Sequence, residues 1–269
     1  MSASLIPPRP VVLVTGASSG LGLAAALALK EKGCTVYALS RRGTAGEGLR
    51  SLIADVTDEA QINAAVAQVL NETKRIDILL CCAGFGISGA VEFVPMKEAI
   101  RQLDVNLFGT VRTIHAVLPV MRKQGAGRIV CLSSMASVVA IPFQSYYSAS
   151  KAAMNNFIQA LRCEVRPFGI SVCAIMPGDI RTGFTDAREK YHEGDDLYFG
   201  RISRGVAAME HDERRGMDAT AVAARIAALA LKKRIKPLYA IGLSYKLICL
   251  LVAVLPAGLR CRIIGRLYG

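Results

Sequence analysis

Two side chains on one stretch of the sequence are spaced to act as an acid–base pair. Tyr147 and Lys151 are four residues apart, and residues at this spacing share one face of a helix. A free phenol has a pKa near ~10 and transfers protons poorly at neutral pH, so a neighbouring ammonium group is expected to lower the pKa of Tyr147. Tyr146 lies a quarter-turn away and cannot form the same pair. Ser134 follows an apolar strand, where its hydroxyl could hold a substrate carbonyl oxygen.

A glycine-rich turn near the N-terminus is suited to binding a phosphate group. It has the sequence Thr15-Gly16-Ala17-Ser18-Ser19-Gly20-Leu21-Gly22. Glycines in such a turn allow the backbone to approach a pyrophosphate closely, and they start a helix whose first N–H groups face the anion. The spacing differs from the GxGxxG pattern, so an ordinary strand-to-helix turn is the alternative interpretation. The residues assigned to this site are Gly16, Ser18, Ser19, Gly20, Leu21 and Gly22.

The end of the second strand favours NADP(H) over NAD(H). Enzymes that use NAD usually carry an acidic residue there, which binds the ribose 2′-hydroxyl. This chain has Ser40-Arg41-Arg42 instead, and two guanidinium groups could clamp a 2′-phosphate. A solvated arginine pair on a loop is the alternative. The glycine-rich turn upstream favours the cofactor interpretation.

The pattern of apolar segments predicts the elements that position these residues. Apolar runs alternate with helical periodicity along the chain. Strands that are apolar on both faces are typical of a parallel sheet covered by helices. We therefore predict an α/β fold, a Rossmann-like doubly wound parallel sheet. The predicted strands are 11–14, 35–39, 51–54, 76–82, 128–132, 170–175 and 238–241. The predicted helices are 21–32, 58–73 with Thr57 as the N-cap, 96–121, 146–166 and 218–233.

Composition limits the class of protein. The chain has 269 residues, of which 52% are hydrophobic, and a net charge of +12. Residues 219–269 carry nine basic and no acidic residues, which leaves a net charge of only +3 on residues 1–218. The eight cysteines form no CxxC pair and no Cys/His cluster at metal spacing, so we expect buried, reduced thiols and no metal. The first ten residues, with three prolines, lack the pattern of a secretory signal, so we expect a cytoplasmic protein.

Taken together and in this order, the motifs resemble the short-chain dehydrogenase/reductase family over residues 10–182. This resemblance implies a single domain that binds a nicotinamide cofactor. It also implies that Asn106 holds a proton-relay water and that Lys151 binds the nicotinamide ribose as well. The other implied cofactor contacts are Asp55 and Val56 at the adenine, Ala83 and Gly84 at the ribose, Ile180 and Thr182 at the carboxamide, and Tyr147, Pro177 and Gly178.

One position departs from the family pattern. Cys82 stands where the family commonly has Asn before Ala-Gly, and a thiol cannot supply the hydrogen bonds of an amide. The stiffness of this turn is therefore open. A redox switch at Cys81-Cys82 is disfavoured, because burial at the end of an apolar strand suppresses the thiolate.

We predict reversible interconversion of a ketone and a secondary alcohol with NADP(H), in which Asn106, Ser134, Tyr147 and Lys151 are catalytic. The stretches IPFQSYYSASK and AGFGISGAVEF resemble the hydroxysteroid and retinol dehydrogenase branch. This resemblance favours a steroid-like substrate, and a retinoid, another lipid or a short ketone is the alternative. A mobile lid is expected over about residues 184–217. The predicted substrate contacts are Ser134, Tyr147, Ile87, Ile141, Phe143, Gln144 and Phe184.

The C-terminal tail, residues 243–269, allows several interpretations after a domain that spans residues 1–242. Its apolar run is interrupted by Lys246 and Pro256, which argues against a membrane span. Packing on the body or on a partner subunit and an interfacial membrane helix both remain open. We expect a homo-oligomer, either a dimer or a tetramer. Too few aromatic residues accompany the basic ones for a nucleic-acid partner. A catalytically silent NADPH-binding regulator is the rival class, although all four catalytic positions are filled.

Overall fold

The computed structural model describes residues 6–44 and 48–268, in which strands and helices alternate along the chain. The strands are β1 (Val11–Thr15), β2 (Thr35–Ser40), β3 (Arg50–Ile53), β4 (Ile78–Cys81), β5 (Ile87–Ser88), β6 (Gly127–Leu132), β7 (Ile170–Pro177), β8 (Ile180–Arg181), β9 (Glu189–Lys190), β10 (Met217–Asp218) and β11 (Leu238–Ile241). The helices are α1 (Gly20–Glu31), α2 (Glu59–Thr73), α3 (Met96–Leu103), α4 (Gly109–Gln124), α5 (Ser145–Val165), α6 (Arg201–Arg214), α7 (Ala219–Leu231), α8 (Leu243–Val254) and α9 (Ala257–Tyr268).

Seven strands form one parallel sheet in the order β11-β7-β6-β4-β1-β2-β3. Strand β1 lies between β2 and β4, where Val14 is in register with Ala38 on one side and Leu80 on the other. The chain order reverses at this point, and open parallel sheets bind ligands in the crevice outside the carboxyl ends of such strands. The predicted Rossmann-like α/β fold is confirmed.

Helices cover both faces of the sheet. Successive side chains of a strand point to opposite faces, so a strand of consecutive apolar residues needs a covering layer on each side. On one face Leu13 packs in a cluster with the buried sides of α2, α4 and α5. On the other face Val12 and Val14 pack against α1 and α7. Because both faces are covered, β1 is apolar at four successive positions, Val11–Val14.

Two local predictions in the helices were wrong. The N-cap of α2 is Asp58, whose carboxylate accepts a hydrogen bond from the backbone N–H of Gln61. The hydroxyl of Thr57 instead donates to Asp55. The predicted helix 96–121 is also not one regular helix, because a π-helical turn over residues 104–108 separates α3 from α4.

The segment after Phe184, where we expect a mobile lid, contains helix α6 and contributes buried apolar residues. One side of α6 is buried and forms a small separate core with Phe143 and Ala90. The apolar residues Ile202, Val206 and Met209 provide that side at helical spacing. The charged residues around them hide this pattern in the sequence.

The C-terminal tail forms two helices, α8 and α9, which meet at Leu255 and Pro256. Over residues 6–44 and 48–268, each helix is too short or too polar to cross a bilayer. The first five residues of the segment that we predict to lack a secretory signal lie outside the described residues. The expectation of buried thiols is wrong for Cys163 and Cys261, which are exposed because they occupy the outer sides of α5 and α9.

Candidate active site

The predicted catalytic side chains converge where β6 ends and α5 begins. Ser134 follows β6, and Tyr147 and Lys151 occupy the first two turns of α5. The Lys151 Nζ donates a hydrogen bond of 2.8 Å to the carbonyl oxygen of Leu132 and lies 5.7 Å from the centroid of the Tyr147 ring. The Ser134 hydroxyl lies close to the Tyr147 phenol and acts to lower its pKa. Hydroxyl, phenol and ammonium groups therefore line one wall of a cavity.

The acid–base properties of Tyr147 differ from the expectation. Burial raises the pKa of the phenol to about 12, while the Ser134 hydroxyl lowers it, the Glu213 carboxylate raises it further and the Arg188 guanidinium lowers it. Lys151 is not among the groups that lower it. Burial also lowers the pKa of Lys151 to about 8, because desolvation disfavours the charged form of both groups. Spacing alone predicted their proximity but not their desolvation.

Asn106 occupies the π-helical turn and is fully buried. Its side-chain amide spans the backbone of Phe85, with its Oδ1 accepting from the N–H at 3.0 Å and its Nδ2 donating to the carbonyl at 3.0 Å. The Nδ2 also donates to the Ser150 hydroxyl. Asn106 thus connects the turn after β4 to helix α5, and a π-helical turn often marks a functional site. Its predicted role in a proton relay stays a prediction.

The turn between β1 and α1 fits an anionic cofactor. Gly16 has φ +68°, and a Cβ atom there would lie 2.6 Å from the backbone nitrogen of Ala83. At Gly22 a Cβ would lie 2.2 Å from the carbonyl oxygen of Gly16. The N-cap residue of α1, Ser19, makes no side-chain hydrogen bond to the first turn, and that turn contains no acidic residue. The uncapped N–H groups line the cavity, where they suit a pyrophosphate.

The adjoining end of the cavity is basic. Arg41 and Arg42 follow β2, line the cavity and are exposed. Over residues 6–44 and 48–268, neither guanidinium takes part in an ion pair. Asp55 and Val56 line the neighbouring wall. The Asp55 carboxylate accepts hydrogen bonds from the backbone and hydroxyl of Thr57, which hold it in place.

A threonine holds the turn after β4, whose stiffness is in question because Cys82 stands where the family commonly has Asn. The hydroxyl of Thr15 accepts hydrogen bonds from the backbone N–H groups of Cys82 and Ala83, at 3.2 and 3.4 Å. The turn that carries Ala83 and Gly84 is therefore tied to the end of β1 without an amide side chain. Burial raises the pKa of Cys82 to about 12, which opposes thiolate chemistry at this position.

The run after β7 is joined to the C-terminal tail. The Tyr245 hydroxyl donates to the carboxylate of Asp179 at 2.9 Å and accepts from the backbone N–H of the same residue at 3.0 Å. Its ring lies against Gly178, where a Cβ would clash with it at 1.9 Å. Pro177, Gly178, Ile180 and Thr182 all line the cavity. Helix α8 thus rests directly on a predicted cofactor contact.

These elements surround one large cavity of about 840 Å³. All of the predicted cofactor residues except Asn106 line it, as do Ser134, Ile141, Gln144 and Phe184. The Phe184 ring lies 5.7 Å from the Tyr147 ring, measured between centroids. The volume of the cavity lies within the range of about 300–1,000 Å³ that is typical of small-molecule and cofactor sites.

Two of the predicted substrate contacts, Ile87 and Phe143, lie outside the cavity lining. Ile87 is buried in β5, which pairs with β9, and does not line the cavity. Phe143 has a left-handed backbone, φ 60°, and its ring packs with Tyr198 and the small core on α6 instead. Both positions flank the catalytic residues in sequence, but their side chains serve packing.

Sequence reasoning missed most of the outer cavity wall. Helices α8 and α9 supply a largely apolar lining, and Glu213 adds a carboxylate. Glu213 is paired with the buried Arg188 and accepts a hydrogen bond from the Thr185 hydroxyl. The apolar stripe on the inner side of α8 was a usable signal, but sequence alone did not indicate which surface it covers. The lining residues from the tail are Tyr245, Ile248, Leu251, Val252, Leu255, Arg260, Ile263, Ile264, Leu267 and Tyr268.

The fold and site define a class, the Rossmann-like oxidoreductases that use a nicotinamide cofactor. The family model described as short chain dehydrogenase matches residues 10–193, and the chain belongs to this family.

Two similar proteins and one solved structure show which members of the family this chain resembles. A protein of Bacteroides thetaiotaomicron named 3-ketodihydrosphingosine reductase is 40% identical over 83% of this chain and 84% of its own length. Human 17-beta-hydroxysteroid dehydrogenase type 1 is 34% identical over 65% of this chain and 62% of its own length. A short-chain dehydrogenase structure from Streptomyces avermitilis superposes with a TM-score of 0.83 at 30% identity, covering 97% of this chain and 98% of its own.

Proposed function

We propose that this enzyme uses NADP(H) to interconvert a ketone and a secondary alcohol on a long-chain, lipid-like substrate. The observation that carries the proposal is the continuous cavity, which runs from Arg41 and Arg42 past Ser134 and Tyr147 to the apolar walls of α8 and α9. A phosphate-bearing cofactor suits the basic end, and an aliphatic chain suits the other. The reacting carbonyl would lie between them.

Each of the four predicted catalytic residues has a separate role in the proposed reduction. When bound, NADPH supplies the hydride that the carbonyl carbon receives. Tyr147 donates its phenolic proton to the carbonyl oxygen as the C=O π bond breaks, and the Ser134 hydroxyl orients that oxygen. Lys151 would bind the nicotinamide ribose, and Asn106 would hold the relay that returns a proton. Tyr147, with a pKa of about 12, is protonated near pH 7 and so holds the proton to be donated, although burial makes it a weaker acid than a free phenol.

Two features support a lipid substrate. The relative that is 40% identical carries the name 3-ketodihydrosphingosine reductase, and the tail walls are dominated by aliphatic side chains. Glu213 gives the same cavity a carboxylate that could receive a polar head next to the ketone. A steroid ketone is the second candidate, favoured by the 34% identity with human 17-beta-hydroxysteroid dehydrogenase type 1.

A substrate panel tests the proposal. The purified chain is assayed with 3-ketodihydrosphingosine, a 17-ketosteroid, retinal and a short ketone, each with NADPH and with NADH. We expect kcat/KM to be highest for the long-chain ketone with NADPH, because each buried methylene contributes about 0.8 kcal/mol, or about fourfold. A higher kcat/KM for the steroid than for the long-chain ketone would favour the second candidate, a steroid substrate. NADPH binding without turnover of any ketone would instead favour the silent regulator.

A further inference from the structure

Helices α8 and α9 follow one another in the chain and both line the cavity, and we call these two consecutive helices, residues 243–268, the C-terminal hairpin. Its inner side lines the cavity through residues such as Ile248, Val252 and Ile264. Its outer side has no covering element among the described residues, and neither helix contains a fully buried residue. The hairpin is therefore at once the wall of the cavity and part of the surface.

The outer side of α8 is an uninterrupted aliphatic stripe. Leu243, Leu247, Leu250 and Val254 recur at intervals of four, three and four residues, which places them on one helix face. They are 83%, 57%, 62% and 70% exposed. An exposed patch of large aliphatic side chains usually marks an interaction surface. On the helical wheel this stripe is opposite Val252, which faces the cavity.

The charges around the stripe favour an anionic surface as its partner. Lys246, Arg262 and Arg266 are exposed on the hairpin, and residues 219–269 contain no acidic residue. A second copy of the chain, related by a twofold axis, would bring two surfaces that carry cations and no acidic residue together, which is electrostatically unfavourable. Anionic phospholipid headgroups complement them, while the aliphatic stripe can enter the acyl boundary.

The cavity also reaches the surface at the hairpin. Leu251, Ile263 and Leu267 line the cavity, yet they are 44%, 43% and 63% exposed. These three side chains form the apolar rim of an opening that lies on the same two helices as the aliphatic stripe.

We propose that the C-terminal hairpin docks this enzyme on anionic bilayers and opens the substrate cavity toward the membrane. Each helix of the hairpin spans 12 residues, so the hairpin lies along the interface instead of crossing it. Docking stands on the surface of the hairpin alone. Only the entry of a lipid ketone from the bilayer rests on the proposed function.

Vesicle flotation tests the docking with the full chain. The wild type is mixed with phosphatidylcholine vesicles and with vesicles that contain about 30% phosphatidylglycerol. The variant Leu247→Asp/Leu250→Asp removes the centre of the stripe, and neither residue lines the cavity. The matched control is Met96→Asp, which changes a side chain that is 66% exposed at the start of α3. Acidic residues are favourable at that helix end.

We expect the wild type and Met96→Asp to float with anionic vesicles, to bind neutral vesicles at least tenfold more weakly, and to be released by high salt. The double variant should lose at least tenfold in vesicle affinity. Equal flotation of the double variant and the wild type would overturn the proposal. Failure of the wild type to bind either kind of vesicle would also overturn it. A third contrary result would be that the double variant binds vesicles like the wild type but elutes as a monomer, where the wild type elutes as a dimer, in size-exclusion chromatography.

A second readout separates docking from catalysis. Turnover of a dispersed short ketone should be the same in the double variant, Met96→Asp and the wild type, because the substituted residues lie outside the cavity lining. Turnover of a long-chain ketone presented in anionic vesicles should fall at least tenfold in the double variant alone. If no ketone is reduced while flotation behaves as expected, the proposed function fails and the docking stands.

Discussion

Burial raises the pKa of the Tyr147 phenol to about 12 and lowers that of the Lys151 ammonium to about 8. For both groups, burial thus favours the neutral form over the charged form more strongly than water does. The Tyr147 phenol is therefore protonated near pH 7, as reduction requires, but it is a weaker acid than a free phenol. For alcohol oxidation the phenol must first lose its proton, so the oxidative direction is expected to gain more from high pH than the reductive one.

Arg41 and Arg42 supply a prediction about cofactor choice. The variant Arg41→Ala/Arg42→Ala should raise the Kd for NADPH about 10- to 100-fold, because a hydrogen bond to a charged group contributes about 1.5–3 kcal/mol. The Kd for NADH should change less than about threefold, since NADH lacks the 2′-phosphate. Titration of the two cofactors by fluorescence measures both constants.

The matched control removes the same charge elsewhere. Lys97→Ala/Lys123→Ala deletes two exposed cations outside the cavity lining and should leave both constants unchanged. An equal loss of NADPH and NADH affinity in the arginine variant would contradict a phosphate clamp.

At the scale of elements, the π-helical turn at residues 104–108 matters because it carries Asn106. A regular helix would place this side chain differently relative to Phe85, whose backbone it binds on both sides. The sequence predicts a continuous helix here, because a π turn changes the hydrogen-bond pattern without an obvious change in apolar period.

Helix α8 is fastened to the active site through Tyr245, and this supports a prediction on stability. Tyr245→Phe keeps the ring against Gly178 but removes both hydrogen bonds to Asp179. We expect the free energy of unfolding to fall by about 1–3 kcal/mol. Amide hydrogen exchange over residues 243–254 should become faster. Chemical denaturation and exchange mass spectrometry measure the two effects.

Tyr191→Phe is the control for this prediction, because the Tyr191 hydroxyl has no hydrogen bond to any residue of 6–44 and 48–268. Its unfolding free energy should remain within about 0.5 kcal/mol of the wild type. Equal stability of Tyr245→Phe and the wild type would show that α8 is held by its apolar contacts alone.

At the scale of the molecule, the sequence predicts the sheet well and the cavity only in part. Buried parallel strands and their glycine turn leave local signals, so the order of elements and the inner cofactor wall follow from pattern. The outer wall depends on where α6, α8 and α9 fold back. Phe143 and Ile87 look equivalent to Ile141 in sequence, yet only Ile141 lines the cavity.

The net charge of +12 is concentrated in the last 51 residues, and its distribution matches two different surfaces, the cofactor end of the cavity and the C-terminal hairpin. The balanced body, residues 1–218, holds the cofactor end with Arg41 and Arg42. The acid-free remainder ends in the C-terminal hairpin, which lines the apolar end of the same cavity. The homo-oligomeric state, the cytoplasmic location and the movement of a lid over residues 184–217 stay predictions.

The most direct test of the central claim is NADPH oxidation by Tyr147→Phe with the best ketone of the panel. This variant keeps the ring that packs against Phe184 and removes the proton donor. We predict that kcat falls about 10²- to 10⁴-fold while the Kd for NADPH changes less than about threefold. Tyr146→Phe, one residue away and outside the cavity lining, should retain wild-type kcat. A Tyr147→Phe enzyme with kcat within about threefold of the wild type would contradict the account.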